Sequence, residues 1–373
     1  MKAGWETKKL GEIIQLEYGK PLADFERNPN GLYPAYGANG IKDRTDKFYK
    51  GEPSIIVGRK GSAGEVTLTE EKYWPLDVTF FVEFDRAKYE LQYLYFLLLT
   101  LNLPNMAKGV KPGINRNDVY DITVTTPDIE GQRRIVTLLD EAFVDIATAK
   151  ANAEKNLQNA RDLFESHLQA IFSKRGTNWE DKTLEQISTT FGRGKSRHRP
   201  RNDPALYGGI YPFVQTGDVR NAEHIITEFS QTYSEAGLAQ SKLWPKGTIC
   251  ITIAANIAET GILGFDACFP DSVIGVVPNP NESEVGYVEY VLQSFKARLQ
   301  ALGQGSAQAN INMGTFENER FPFPKVEEQR LIVAKLDALS EESQRLESIY
   351  RQKLTALDDL KKSLLHQVFS GQL

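Results

Sequence analysis

Pro127-Asp-Ile-Glu-Gly-Gln-Arg-Arg-Ile-Val-Thr-Leu-Leu-Asp140 and Pro324-Lys-Val-Glu-Glu-Gln-Arg-Leu-Ile-Val-Ala-Lys-Leu-Asp337 are two copies of one segment, and their relation decides the fold. At an offset of 197, Pro127, Glu130, Gln132, Arg133, Ile135, Val136, Leu139 and Asp140 all recur. The register persists: Leu157, Asp162, Leu163, Ser166, Leu168, Phe172 and Ser173 match Leu354, Asp359, Leu360, Ser363, Leu365, Phe369 and Ser370, giving 15 identities over 47 positions. So long an aligned run marks an internal duplication.

From Ile135 the apolar positions are Ile135, Leu139, Ala142, Ile146, Ala149, Ala153, Leu157, Ala160, Phe164, Leu168 and Ile171. Steps of four and three alternate, with two places where four follows four, the mark of a heptad pattern carrying a local stutter. The second copy runs Ile332, Leu336, Leu339, Ser343, Leu346, Tyr350, Leu354, Leu357, Lys361, Leu364 and Val368, with polar breaks at Ser343 and Lys361. Pro127 and Pro324 stand where helices begin. Each copy predicts a helix of ~42–45 residues, roughly 65 Å long at 1.5 Å per residue. A stripe this narrow must be covered, so the helices pair. The expected seam holds Ile135, Leu139, Ile146, Leu157 and Leu168 on one helix, with Ile332, Leu336, Leu346, Leu357 and Leu364 on the other.

Outward from the helices the duplication weakens. Trp5-Glu6-x-Lys8-x-Leu10-x-x-Ile13 recurs as Trp179-Glu180-x-Lys182-x-Leu184-x-x-Ile187 at an offset of 174. Tyr33-Pro34, Lys50-Gly51 and Ile114-Asn115 recur as Tyr211-Pro212, Lys246-Gly247 and Ile311-Asn312. The growing offset places extra residues in the second copy, mostly before Lys246. The chain therefore reads as a globular domain over 1–127, a helix over 128–174, a second globular domain over 175–324 and a second helix over 325–373. That second domain holds the end of one helix beside the start of the other, so the helices must run antiparallel. The fold class is α+β: two globular α/β domains separated by a long antiparallel two-helix coiled coil, with a pseudo-two-fold internal repeat.

Within the domains, Ser54–Val57, Val78–Val82 and Thr248–Ile253 read as strands, and Tyr89–Leu101 and Tyr287–Leu302 as short helices. A twisted, mostly antiparallel sheet with peripheral helices follows. Two cysteines cannot build a disulfide framework, and Cys250 in an alternating apolar run reads as a small buried hydrophobe. Four histidines without ligand spacing imply no metal. The most apolar window, Tyr93 to Leu101, is far short of the ~20 residues a membrane span needs. No secretory leader is apparent at the N-terminus, and cytoplasmic residence is the default expectation.

No catalytic constellation emerges. Gly58-Arg59-Lys60-Gly61-Ser62-Ala63-Gly64 lacks phosphate-loop spacing. No nucleophile elbow or His-Glu-x-x-His is present. The acidic pairs Asp43/Asp46 and Glu282/Glu284 lie in hydrophilic turns that suit solvation.

Basic and amide side chains in loops are more informative. Cations fall at every second position in Arg193-Gly-Lys195-Ser-Arg197-His-Arg199-Pro-Arg201. An extended chain would set them about 6.6 Å apart on one face, a spacing that tracks a phosphate backbone, although a solvated basic loop has the same composition. Arg59 and Lys60 sit between glycines where a ligand can approach the backbone closely. Lys108, Lys111, Asn115 and Arg116 precede the first long helix, and Gln308, Asn310 and Asn312 precede the second. Arg and Lys suit guanine edges or phosphates, and Asn and Gln suit adenine, while Asn also favours turns for local reasons. Lys20 and Arg220 complete the candidate contacts.

A net charge of −5 excludes a generic polyanion binder. Cations and anions balance along the chain: 17 and 17 over 1–127, 6 and 8 over 128–174, 13 and 16 over 175–324, 8 and 8 over 325–373. Any nucleic-acid contact must come from local clusters. On the residues alone, a duplicated ligand- or protein-binding module on a coiled-coil spacer, without nucleic acid, stays open as the alternative.

In its order of motifs the chain resembles the specificity (S) subunits of type I restriction-modification systems, over essentially its whole length. The resemblance rests on the Trp-Glu-x-Lys-x-Leu starts, the Pro-x-x-Glu-x-Gln-Arg-x-Ile-Val helix starts, the Leu-x-x-Ser-x-Leu…Phe-Ser ends, the Ile-Asn loops and Phe213-Val-Gln-Thr216-Gly217-Asp218-Val219. It implies a non-catalytic subunit whose two target-recognition domains each read one half of a bipartite double-stranded DNA site, with the helices setting the spacing. It implies docking of two methyltransferase (M) subunits and two restriction-translocase (R) subunits. S-adenosylmethionine, ATP and Mg would be bound by those partners, with no cofactor on this chain. The partners would also supply phosphate-binding surface that this chain lacks.

Overall fold

Asp128 opens the first long helix, its Oδ1 accepting from the Gly131 backbone N–H at 2.8 Å, and the helix runs unbroken over Ile129–Ser173. Its counterpart spans Val326–Phe369. In the computed structural model, which describes residues 4–198, 200–254, 256–304 and 311–370, both duplicated segments are thus single helices. The chain divides into two compact units, Met1–Glu154 with Arg351–Leu373, and Lys155–Tyr350.

In the first unit Leu139 packs with Phe96 and Val368, and Lys150 pairs with Asp358 at 2.7 Å. In the second, Leu168 and Leu336 share one core and Arg161 pairs with Glu347 at 3.0 Å. Ascending numbers on one helix meet descending numbers on the other, so within each unit the helical segments are antiparallel. Of the expected seam, Leu139, Ile146, Leu168 and Leu336 are buried; Ile135, Leu157, Ile332, Leu346, Leu357 and Leu364 are half-buried, because a two-helix pair leaves one flank of each residue open.

The two polar breaks have specific partners. Ser343 is buried and its Oγ donates to the Ala160 carbonyl at 2.7 Å. Lys361 is exposed and rests its ammonium 4.7 Å from the Phe143 ring centre.

Each unit builds its domain on the same plan. The strand Glu6–Lys9 pairs antiparallel with Thr123–Thr126, and Glu180–Lys182 pairs antiparallel with Phe321–Phe323, so each long helix starts from a braced strand. A main sheet orders Ile14–Tyr18, Thr79–Phe84, Ser54–Gly58 and Val66–Thr69 in the first unit. Ser188–Arg193, Val273–Pro278, Ile249–Thr252 and Thr260–Leu263 follow the same order in the second, with Ile225–Ile226 added at the edge. Ser54–Gly58 and Ile249–Thr252 are central and buried on both faces, which is why they read as continuous apolar runs.

Two expectations need correction. Each domain contains a second small sheet rather than one, and that sheet includes a parallel pair, Ala35 with Trp74 and Phe213 with Cys268. The helix expected over Tyr287–Leu302 is two, Val285–Ser294 and Lys296–Gln304, parting at Phe295. Phe295, at the break, packs edge-on against Phe321 at 5.2 Å. Cys250 and Cys268 are free and buried. No helix among the described residues is long and apolar enough to cross a membrane.

The repeated glutamine explains how domain and helix are joined. Gln132 is 1% exposed and Gln329 0%. Gln132 Nε2 donates to the Lys88 and Pro127 carbonyls at 3.1 and 3.0 Å, while its Oε1 accepts from the Glu90 N–H at 2.9 Å. Gln329 repeats the set with Glu282, Pro324 and Glu284 at 3.1, 2.8 and 2.8 Å. Glu90 and Glu284 are the cap residues of the helices Leu91–Thr100 and Val285–Ser294. One buried amide thereby ties a short domain helix to the start of each long helix. The far ends are matched too: Phe369 meets Tyr93 at 5.3 Å and Phe172 meets Tyr287 at 5.6 Å.

Candidate nucleic-acid interface

In the first unit the two candidate loops are joined through their backbones. Gly61 N–H donates to the Pro112 carbonyl at 2.9 Å, and Ile114 N–H donates to the Arg59 carbonyl at 3.1 Å. Lys108 and Gly113 exchange both of their backbone hydrogen bonds and close the second loop. Arg59, Lys60, Lys108, Lys111, Asn115 and Arg116 therefore belong to one surface.

Tyr18, which the sequence did not single out, organises that surface. Its ring is 46% exposed and lies 5.1 Å from the Arg59 guanidinium carbon and 5.2 Å from that of Arg116. Two cations thus flank one ring, an arrangement that holds guanidinium planes in place by cation–π attraction. Lys60 and Lys111 are exposed and form no ion pair among the described residues. Lys108 is partly neutralised by Asp118 at 3.1 Å. Lys20 stands 4.5 Å from the Tyr49 ring centre.

The Ile-Asn repeat has a local explanation. Asn115 caps the helix Arg116–Tyr120, its Oδ1 accepting from the Asn117 N–H at 3.0 Å. Asn312 caps Met313–Glu317 through Thr315 N–H at 3.2 Å. Ile114 and Ile311 are buried beneath. Each Asn therefore has its oxygen committed to a cap, which by itself accounts for the residue type.

In the second unit the basic run is not one extended strand. The strand ends at Arg193, whose Nε donates to the Asp271 carbonyl at 2.7 Å. Gln240 Oε1 then accepts from the Arg197 and His198 N–H groups at 2.6 and 3.0 Å, bending the segment away from the strand. Arg201 is held by both Asp271 oxygens at 2.9 and 2.8 Å. Lys195 and Arg197 are exposed. Arg220 reaches Asn256 Oδ1 at 3.5 Å. Arg199, Gln308 and Asn310 lie outside the described residues. No cluster of three or more His, Cys, Asp or Glu suited to a metal occurs among the described residues.

Register and hydrogen bonding align the two surfaces residue by residue. Tyr18 faces Phe80 and Arg193 faces Ile274 at equivalent places in the main sheets. The next residue in each is a glycine, Gly19 or Gly194, bonded to the Thr79 or Val273 carbonyl at 3.1 or 2.9 Å. After it comes a lysine, Lys20 or Lys195, whose N–H donates to the Pro75 or Phe269 carbonyl at 2.8 or 3.2 Å. Arg59 corresponds to Ile253, because Ile311 N–H donates to the Ile253 carbonyl at 3.3 Å as Ile114 does to Arg59. Arg116 and Met313 are the first residues of the equivalent capped helices.

The duplicated Gly-Lys pair escapes a search at fixed offset. A register shift between Ser188 and Thr190 inserts one residue into the second copy, moving the offset from 174 to 175.

Comparison with known proteins agrees with this duplicated architecture. The family model described as the type I restriction modification DNA specificity domain matches residues 2–157 and again 176–355. The chain belongs to this family. A putative type I restriction enzyme MjaX specificity subunit of Methanocaldococcus jannaschii is 22% identical over 309 residues, covering 78% of this chain and 69% of that protein. A putative type I restriction enzyme specificity subunit of Haemophilus influenzae is 21% identical over 347 residues, covering 89% and 86%. A solved chain from work on assembly and conformational transition of the type I R-M system superimposes with a TM-score of 0.79 at 18% identity, covering 100% of this chain and 99% of its own. The HsdS subunit of Thermoanaerobacter tengcongensis gives 0.65 at 18% identity, with 100% and 98% covered. None of these relatives favours a duplicated ligand-binding module without nucleic acid.

Proposed function

We propose that this chain is the DNA-reading specificity subunit of a type I restriction-modification complex, each globular domain reading one half of a bipartite target and the paired helices setting the interval between halves. The observation that carries the reading is the duplicated frame with diverged side chains. Arg59 and Arg116 in one domain correspond to Ile253 and Met313 in the other on the same backbone bonding. Two equivalent platforms with different chemistry suit two different half-sites.

On this reading the chain is not itself an enzyme and works in the cytoplasm. Two methyltransferase subunits dock on the helices and domains and modify adenine N6 with S-adenosylmethionine. Two restriction-translocase subunits join them and use ATP with Mg. Each domain offers a cationic surface, Arg59 to Arg116 in one and Lys195 with Arg197 in the other, while the neutral remainder leaves further phosphate contacts to the partners.

The test is to express the chain with its methyltransferase partner in a host lacking adenine methylation and to map methylated adenines. A single gapped, two-part motif is expected. Exchanging residues 1–127 for another subunit's first domain should change one half of it alone; a change in both halves, or in neither, would refute the modular reading.

A further inference from the structure

The same residue-by-residue alignment sorts the candidate contacts by what they do. A kept polar residue whose side chain is not committed within the fold can serve something common to both half-sites, and the part of DNA that does not change with sequence is its phosphate backbone. A feature present in one unit only can serve what distinguishes one half-site from the other, the base edges.

Gly19-Lys20 and Gly194-Lys195 are kept, and the geometry shows why the glycine is needed. A Cβ on Gly19 would lie 2.1 Å from the Leu76 carbonyl oxygen and 2.6 Å from that of Pro75. On Gly194 it would lie 2.3 and 2.4 Å from the Phe269 and Pro270 oxygens. Both glycines let the chain press onto the backbone of a neighbouring segment, so that the following lysine emerges at the same place in each unit. An aromatic ring and a further lysine lie beside Lys20, and a lysine over a buried tryptophan lies in the second unit. Lys20 and Lys50 stand 4.5 and 5.7 Å from the Tyr49 ring centre. Lys242 stands 3.6 Å from the Trp244 ring centre, and burial together with the Lys195 ammonium pushes its own ammonium below the ordinary lysine range. Lys50 is paired with Glu83 at 2.6 Å, so Lys20 is the lysine left without an ion pair there among the described residues, and a lysine point charge suits a single phosphate.

Arg59 and Arg116 are not kept. Their counterparts Ile253 and Met313 have no polar group to offer, and Ile253 is buried in the core. Holding DNA in general therefore does not need them. Both guanidiniums lie within 5.2 Å of the Tyr18 ring centre, and a guanidinium fork matches the O6 and N7 acceptors of guanine.

We infer that Lys20 and Lys195 grip backbone phosphates at equivalent points of the two half-sites, whereas Arg59 and Arg116 are specificity-determining residues that read guanine in the first half-site only. This rests on the DNA reading above, and the experiment separates the two.

Adenine methylation is mapped for the full chain with its methyltransferase partner, as wild type and as Lys20→Ala, Lys195→Ala, Arg59→Ile and Arg116→Met. The last two install residues that the same frame carries in the second unit. Either lysine variant should leave the motif intact, lower the fraction of sites methylated, and reduce the slope of log affinity against log salt by about 0.9 on a duplex carrying that motif. Either arginine variant should relax a guanine position in the half read by residues 1–127, with discrimination falling about 10- to 100-fold. A motif altered by Lys20→Ala or Lys195→Ala would overturn the inference, as would a first half unchanged in both arginine variants. If Arg59→Ile does not fold, the helix-start substitution Arg116→Met, at a half-buried position, decides alone. A wild-type complex that methylates no two-part motif would instead overturn the DNA reading on which the inference stands.

Discussion

Replacing Gln132 with Met keeps its length and apolar volume but removes every polar atom. The loss strands the Glu90 N–H, which caps a helix, together with the Lys88 and Pro127 carbonyls, all bonded at 2.9 to 3.1 Å in a site 1% exposed to solvent. Each buried group left without a partner costs about 1–3 kcal/mol, and a carbonyl keeps a second lone pair that softens its share. The expected loss is therefore about 3 kcal/mol in the first unit. The neighbouring Arg133 also recurs and pairs with Glu90 at 2.7 Å, but it is largely exposed, and Arg133→Ala should cost less than about 1 kcal/mol. Hydrogen exchange read by mass spectrometry separates local from global effects. A loss of about 3 kcal/mol should accelerate exchange of the peptide spanning 88–101 by about 100-fold, leaving the peptide spanning 282–295 unchanged. Gln329→Met should produce the reverse pattern, through the Glu284 N–H bond at 2.8 Å. Acceleration under about 3-fold in the matching peptide, or equal acceleration in both, would refute the claim that one amide joins each domain to its helix.

Gly194→Ala should destabilise the second unit by several kcal/mol, because its Cβ would lie 2.3 Å from a backbone oxygen; a melting temperature within 1 °C of wild type would count against that packing. Stability of the second unit should fall as pH rises above the unfolded histidine value of about 6.5. Burial lowers the His224 pKa, but the Glu289 hydrogen bond at 2.8 Å, that carboxylate's charge and Asp337 outweigh it and leave the value raised. A raised folded value means the stabilisation is complete below the unfolded value of about 6.5 and is lost as pH climbs through the folded one. His224→Gln should flatten the fall of melting temperature as pH rises from about 6.5, and an unaltered slope would refute the assignment. Neither cysteine should react with a thiol reagent in the native chain: both thiols are buried, and burial pushes both pKa values up. Labelling should reach both in denaturant, and native labelling at Cys250 would contradict its place in the core.

The long helices were legible because their signal is periodic and repeated. Even the polar breaks were visible, although the sequence could not say that Ser343 would find the Ala160 carbonyl or that Lys361 would lie over Phe143. The central strands were legible as apolar runs, whereas the parallel pairs were not, since each is a one- or two-residue contact between distant segments. The candidate surface divides in the same way. Loops rich in Arg and Lys announced themselves by composition. Tyr18 did not, because only folding brings it beside Arg59 and Arg116. Asn115 and Asn312 were noticed for the right reason, their recurrence, yet the recurrence is explained by two helix caps. Recurrence shows that a residue has the same job twice; it does not say whether the job is structural.

That ambiguity can be resolved by asking where each duplicated polar group spends its hydrogen bonds. Gln132 and Gln329 are buried with both functional ends paired to backbone, so their recurrence is explained within the fold. Lys20 and Lys195 recur equally well but are exposed, and their duplicated bonds come from backbone N–H groups, with the Lys20 ammonium 4.5 Å from the Tyr49 ring centre. Neither ammonium forms an ion pair among the described residues, so the charge has no partner within the fold there. A net charge of −5 is no obstacle to this, because at physiological salt only charges within about 8 Å of a phosphate contribute appreciably to its binding. The balance that matters is local. Along the first domain cations and anions are equal in number, yet the linked loops gather Arg59, Lys60, Lys111 and Arg116 with Asp118 engaged by Lys108 alone. A chain of slight negative net charge can therefore present a cationic face to DNA while its remaining surface stays suited to protein partners.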